Sequence, residues 1–373
     1  MKSKEIIVSG VVLATIIYPE LGFAFNPLPI IVETPHKRQM LLNITKKEGD
    51  TLNTVTLNRN TIKNKDGKNR VTFDISGIVR SMFDRNEFVN SVGGVDNELI
   101  KNIDMTVMIW QGPSTYIDVP VIWGALQIGE TYTQSKRLTM FKGYPFSVPL
   151  YLPNGTYSMV IDGEKDDYFE GGKYNTYIHP YIAESHSKKS VITILGKPEA
   201  GQEASLFDYT FDYTFRKEAV NDINIIIDVE DCQQDGFYLR WINRYGEWNY
   251  YLFHKKGEST QTSDSSVVFD QYFTSVSLDD NNGYHPGTGK PIGKEVKKSI
   301  QLYASLVDAN TFDFLSQMVQ SPVVDLLVDY NRSTDRSKWV GVKTQAGTFG
   351  KSNQHLQDFE FTLVMPDVFT QKL

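Results

Sequence analysis

Histidine and cysteine are the side chains best able to hold a metal or act as a nucleophile, and this chain has six of the first and one of the second. The histidines, His36, His179, His186, His254, His285 and His355, are scattered. None forms a His-x-x-x-His or Glu-x-x-His pair, the spacing that sets two ligands on one helix face. Surface or loop histidines are the expected reading. Cys232 stands among Glu230, Asp231 and Asp235, where negative neighbours disfavour a reactive thiolate. A lone cysteine also excludes an intrachain disulfide and a multi-cysteine zinc site. Gly287–Lys294 has the look of a phosphate loop and fails its test. Thr288 sits where the first glycine belongs, and Lys294 is followed by Glu295 instead of Ser or Thr. Asp162-Gly163-Glu164-Lys165-Asp166-Asp167 is acidic enough to attract calcium but lacks the EF-hand spacing, so a solvated turn is expected there. No Gly-x-Ser-x-Gly elbow occurs, and no spacing among the 45 acidic residues selects a glycosidase pair. These patterns supply no catalytic residue, no cofactor-binding residue and no metal ligand. The expectation is a protein that is not an enzyme and uses no cofactor.

Elements that would position other functions come next. At 373 residues the chain has the length of two domains. Its 40% hydrophobic and 22% charged residues are globular in composition, and its 12% aromatics, 20 Tyr and 21 Phe among them, lean toward sheet. A net charge of −7 gives no reason to expect nucleic-acid binding. No segment approaches the ~20 apolar residues of a membrane helix, so membrane insertion is not expected. Residues 6–17 are apolar behind a basic start, which leaves two readings open, a strand or a signal peptide. The β-branched content, Glu5 and the missing small-x-small site favour the strand.

Strand patterns recur at the spacing of a sandwich or barrel protein. In the first half they fall at 6–18, 23–33, 39–44, 51–57, 69–73, 105–111, 119–127, 137–140, 146–150, 156–161 and 176–180. Turn residues separate them, including Asp66-Gly67, Gly93-Gly94, Gly112-Pro113 and Gly171-Gly172. Asn154-Gly155, between two apolar runs, is the strongest hairpin signal. A short helix is expected over 76–83, capped by Asp74 or Ser76. From Lys294 the order becomes strand, helix, strand, strand, strand, with the helix running from Asp308 to about Val319 and stopped by Ser321-Pro322. A polar, breaker-rich stretch at Gly196–Gly201 marks a boundary. The predicted architecture is mainly β: a β-sandwich-like domain over 1–200, and over 201–373 an antiparallel sheet with one packed helix.

Phe207-Asp208-Tyr209-Thr210-Phe211-Asp212-Tyr213-Thr214-Phe215 alternates aromatic and polar residues without a break. A period of two makes it a strand with every ring on one face. That face packs into a sandwich core or forms an aromatic platform. Phe207, Tyr209, Phe211 and Tyr213 are therefore candidate interface residues. So are Trp241 and Trp248, which flank the turn of a hairpin over 236–254 whose register the sequence does not fix.

Several stretches together resemble a family of phage and prophage tail-associated virion proteins of gut bacteria. They are Gly22-Phe23-Ala24-Phe25-Asn26-Pro27, Trp123–Glu130, Arg137–Phe141, Tyr144-Pro145-Phe146, the Phe237–Phe253 hairpin, Ser321–Leu326 and Leu356–Thr362. The resemblance implies a structural protein analogous to the distal tail protein of the baseplate, with a ring-forming domain and an accessory β-sandwich. It implies self-association into an oligomeric ring, contacts with other tail proteins, and a place in the virion after assembly in the host cytoplasm. One departure stands out. Distal tail proteins open with the ring domain, whereas the matching pattern here comes last. A secreted or surface carbohydrate-binding β-sandwich is the alternative expectation, resting on the aromatics and the apolar start.

Overall fold

The computed structural model describes residues 1–48, 51–83, 99–152, 155–170, 174–176, 188–197, 206–231, 236–257, 259–265, 268–269, 290–291, 294–334, 336–345, 350–351 and 354–367. The chain is mainly β, with two helices among these residues. It forms two compact units. The first comprises Met1–Cys232, Ile242–Asn249 and Arg332–Arg336; the second comprises Gln233–Trp241, Tyr250–Asn331 and Ser337–Leu373. The division therefore falls later than 196–201. Strand Asp222–Glu230 lies between Lys136–Phe141, to which it runs parallel, and Lys189–Lys197, to which it runs antiparallel. This pairing keeps residues beyond 201 in the first unit.

Two five-stranded sheets fill the N-terminal half of the first unit. One runs in the order Lys2–Val8, Val11–Tyr18, Pro29–Thr34, Asn69–Asp74, Ile62–Lys63; the other runs Gly22–Phe23, Ser114–Ile122, Ile100–Ile109, Gln39–Glu48, Thr51–Asn60. Alternation is what buries them: Ile30 and Val32 are fully buried, and so are Met40, Leu42 and Ile44. The strand expected over 6–18 is two strands. Ser9 and Gly10 adopt φ of 50° and 81°, the left-handed pair of a two-residue hairpin turn, and Val8 faces Val11 across it. The strand expected over 23–33 is also split. Buried Asn26 leaves the sheet to bond the Leu126 backbone in both directions, at 2.8 and 2.7 Å. Helix Ser76–Met82 forms where expected, burying Val79 and Met82. Asp74 serves it from outside: Oδ1 accepts the backbone N–H of Ser76 and of Leu28.

The C-terminal half of the first unit is built on a sheet ordered Lys136–Phe141, Asp222–Glu230, Lys189–Lys197, Thr156–Ile161, Glu164–Glu170. Ile223, Ile225, Ile227 and Val229 point into its core at every second position. The Asn154-Gly155 turn signal includes Asn154, outside the described residues, and among the described strands its two flanks do not pair with each other. Val148–Tyr151 pairs with Tyr174–Thr176 instead, and Thr156–Ile161 pairs with Glu164–Glu170 and Lys189–Lys197. The tight turn lies one strand later, at Asp162-Gly163, with φ of 50° and 89°. Asp162 is fastened there by Ser190 Oγ at 2.8 Å and the Val191 N–H at 2.7 Å. Gly93-Gly94, Gly171-Gly172 and Asn154 itself lie outside the described residues.

The second unit carries a seven-stranded sheet in the order Trp248–Lys255, Phe237–Ile242, Val324–Asn331, Arg336–Thr344, Gln357–Val364, Lys294–Val307, Thr260–Ser265. Trp248–Lys255 also pairs with Lys294–Val307, His254 opposite Tyr303, so the sheet closes on itself. Helix Ala309–Gln320 starts where Asp308 Oδ1 accepts the Thr311 N–H at 2.8 Å. It drives Phe312, Leu315 and Met318 into the core beside Leu302, Phe359 and Phe361. Leu315 is fully buried. Leu315→Ala is expected to cost about 3 kcal/mol, read as a lower urea midpoint at unchanged slope.

Candidate functional site

The aromatic series is the first place to look for a site, and its geometry is not that of one strand face. The strand ends at Thr210. Asp212 Oδ1 accepts the Thr214 N–H at 3.1 Å and folds the chain into a turn, with Tyr213 and Phe215 at φ of 70° and 50°. Tyr209, Phe211 and Phe215 are buried, and Tyr213 is 61% exposed. Phe211 and Phe215 lie 4.9 Å apart, and Phe215 stacks on Phe23 at 5.8 Å. Phe207 is half-buried beneath Lys217, whose Nζ sits 4.3 Å from the ring centre. Trp241, in the second unit, is buried against Phe314 at 5.2 Å. Trp248, in the first unit, is buried as well. Asn243 N–H bonds Glu247 O at 2.9 Å, a register that sets Trp248 opposite Ile242. The candidate aromatic face is therefore mostly core, and Tyr213 is the one of the six candidates left substantially exposed.

Polar chemistry gathers elsewhere in the first unit, around the turn Ile242–Asn249. Glu247 is 4% exposed, and its Oε1 lies 2.6 Å from Lys136 Nζ and 3.2 Å from the Tyr132 hydroxyl. Lys136 Nζ also donates to Pro149 O at 2.9 Å. Asn243 shapes the turn, its Oδ1 accepting the N–H groups of Tyr245 and Glu247 at 2.9 and 3.0 Å. At the rim, Glu130 accepts from Arg244 and from the Tyr245 hydroxyl. Burial, then that bond to Glu130, raises the Tyr245 pKa. The turn backbone lies against Gly124: a Cβ there would meet Arg244 O at 2.6 Å. Gly246, at φ of 72°, is as tightly placed, since a Cβ there would meet Trp123 O at 2.8 Å. This set binds itself. The carboxylate is satisfied by an amine, a phenol and an amide, and the amine by the carboxylate and a carbonyl. It fastens the turn to the residues Tyr132 and Lys136.

A second buried pair belongs to the second unit. Arg240, 2% exposed, lies 2.8 Å from Asp325 and stacks 4.3 Å from the Trp339 ring. Among the described residues no three His, Cys, Asp or Glu are grouped to hold a metal ion. His179, His186, His285, Cys232 and most of the glycine-rich stretch at 287–294 lie outside those residues. Sequence reading missed Lys136, Glu130, Arg244 and Glu247 as members of one polar cluster. The signal available for them was indirect, the tight Asn243–Gly246 turn.

Two predictions follow from these charges. Glu247→Leu or Lys136→Met alone leaves a buried partner uncompensated and is expected to cost about 3–5 kcal/mol, while the double variant Lys136→Met/Glu247→Leu recovers most of that. Denaturation of all four proteins checks the cycle. The second concerns Glu33 on Pro29–Thr34. Hydrogen bonds from Arg70 and Lys68 hold its carboxyl below the usual glutamate range. Its contribution is thus complete above the ordinary glutamate pKa and fades as pH falls through the lower folded value. Glu33→Gln is expected to flatten the acid limb of the stability–pH curve, and raised salt to do so partly, because Lys68 and Arg70 are solvent-exposed.

No family model and no curated protein matches the chain. Among solved structures, one reported under "Structural insight into host cell surface retention of a 1.5-MDa bacterial ice-binding adhesin" is 9% identical, over 95% of this chain and 86% of that one, with a TM-score of 0.15. Another, under "Ca2+-stabilized adhesin helps an Antarctic bacterium reach out and bind ice", is 8% identical, over 85% of this chain and 93% of that one, with the same TM-score. At that score neither bears on architecture or function.

Proposed function

We propose that the protein is a structural component of a phage tail or baseplate, assembling into a ring and joining neighbouring tail proteins in the virion. One observation carries the reading: the second unit is an antiparallel sheet with one helix packed on its core. A sheet with one packed helix is the make-up which the resemblance to distal tail proteins implies for a ring domain. The buried charges agree with it. Lys136 with Glu247, and Arg240 with Asp325, are each spent on an ion pair inside one unit, the use a scaffold makes of them. The carbohydrate-binding alternative rests on the aromatics and the apolar start, and the burial of Tyr209, Phe211, Trp241 and Trp248 weakens the first of these.

Sedimentation velocity and negative-stain microscopy of the purified protein test the proposal. Closed multimers of defined size are expected. A strictly monomeric species at high concentration, absent from purified virions, would sink it.

A further inference from the structure

A strand at the edge of a sheet offers its free N–H and C=O groups to any strand that arrives, and folded chains blunt such edges with charge, proline, bulges or brevity. The first unit does so at nearly every described edge. Gly22–Phe23, Ile62–Lys63, Thr131–Tyr132 and Tyr174–Thr176 are two or three residues long. Lys2–Val8 carries three charges and a bulge, Lys136–Phe141 and Arg216–Val220 each open on two cations, Glu164–Glu170 begins Glu-Lys-Asp-Asp, and Val148–Tyr151 holds Pro149.

Thr51–Asn60 is the exception. It is ten residues long and bonds, among the described strands, to Gln39–Glu48 alone, in consecutive pairs with no bulge. It has no proline and no glycine, and its one charge is Arg59, next to its end. From Asn53 to Asn60 every side chain but Leu57 is exposed. Val55 stands opposite Ile44, on the face that buries Ile44 completely, yet is itself 40% exposed. The core on that face stops at this edge.

Charge decides how a second copy can pair here. In parallel register Arg59 faces Arg59, which is unfavourable. Antiparallel about a two-fold axis, the two arginines lie at opposite ends and no like charges meet. An axis normal to the sheet also keeps each face matched to itself. With Val55 on that axis, Val55 meets Val55 and Thr54 meets Thr56, β-branched pairs suited to a pleated surface.

We infer that Thr51–Asn60 is a self-pairing edge, at which two copies of the chain join antiparallel about Val55 into one continuous sheet. The backbone supplies the hydrogen bonds, and Val55 and Leu57 lose water on contact. The junction goes beyond the ring reading, because a contact of this kind is isologous and complete with two copies.

Two variants at the axis test it, Val55→Lys and Val55→Glu, each checked for native folding by circular dichroism and thermal unfolding. By sedimentation velocity each alone is expected to associate about ten-fold or more weakly than the unmodified protein, since like charges then meet on the axis. An equimolar mixture is expected to associate again, because the axis then pairs an amine with a carboxylate. Val55→Cys in a Cys232→Ser background gives a second readout. Directly opposed strand residues lie about 4.5–5.5 Å apart at Cα, within disulfide reach, so oxidation is expected to yield a covalent dimer. Unmodified protein that stays monomeric, a charge variant that associates as the unmodified protein does, a mixture that stays dissociated, or a cysteine variant that stays monomeric on oxidation overturns the junction. Only the first of these also sinks the ring.

Discussion

Tyr132 is the point on which the first unit turns. Its hydroxyl reaches buried Glu247, its ring packs edge-on to Phe23 at 5.3 Å and lies 6.0 Å from Tyr245, and its backbone pairs with Tyr209. One residue thus joins the ion pair with Lys136, the sheet containing Leu206–Thr210, and the stack in which Phe215 meets Phe23. Burying Glu247 and Lys136 is costly, and their attraction does little more than offset that cost. What the pair contributes is uniqueness. The turn 242–249 has one placement in which the acid finds its amine, its phenol and the Asn243 amide together. The close approach of Gly124 and Gly246 to the opposing backbones narrows that placement further.

What the sequence disclosed follows from how locally each feature is encoded. Helix Ala309–Gln320 was legible because its cap at Asp308, its apolar spacing at Phe312, Leu315 and Met318, and its stop at Ser321-Pro322 all lie within a few residues of one another. The aromatic alternation from Phe207 misled because Asp212 can bond its own backbone two residues on, and that turn outweighs two more residues of pleat. The turn at Asp162-Gly163 was not singled out as a hairpin because its strand Thr156–Ile161 is also fixed by Lys189–Lys197, which is remote in sequence. The same non-locality hid the site, since Lys136 and Glu247 stand 111 residues apart and neither is marked by its neighbours. Asp222–Glu230 carried residues past 201 into the first unit for the same reason: a parallel partner at Lys136–Phe141 leaves no local trace.

Buried charge follows one rule in both units. Lys136 ends on Glu247 and Arg240 on Asp325, because an unpaired charge in low dielectric is not tolerated. Each pair joins segments remote in sequence, 111 and 85 residues apart, so what it fixes is which segments meet, more than how much stability their meeting adds.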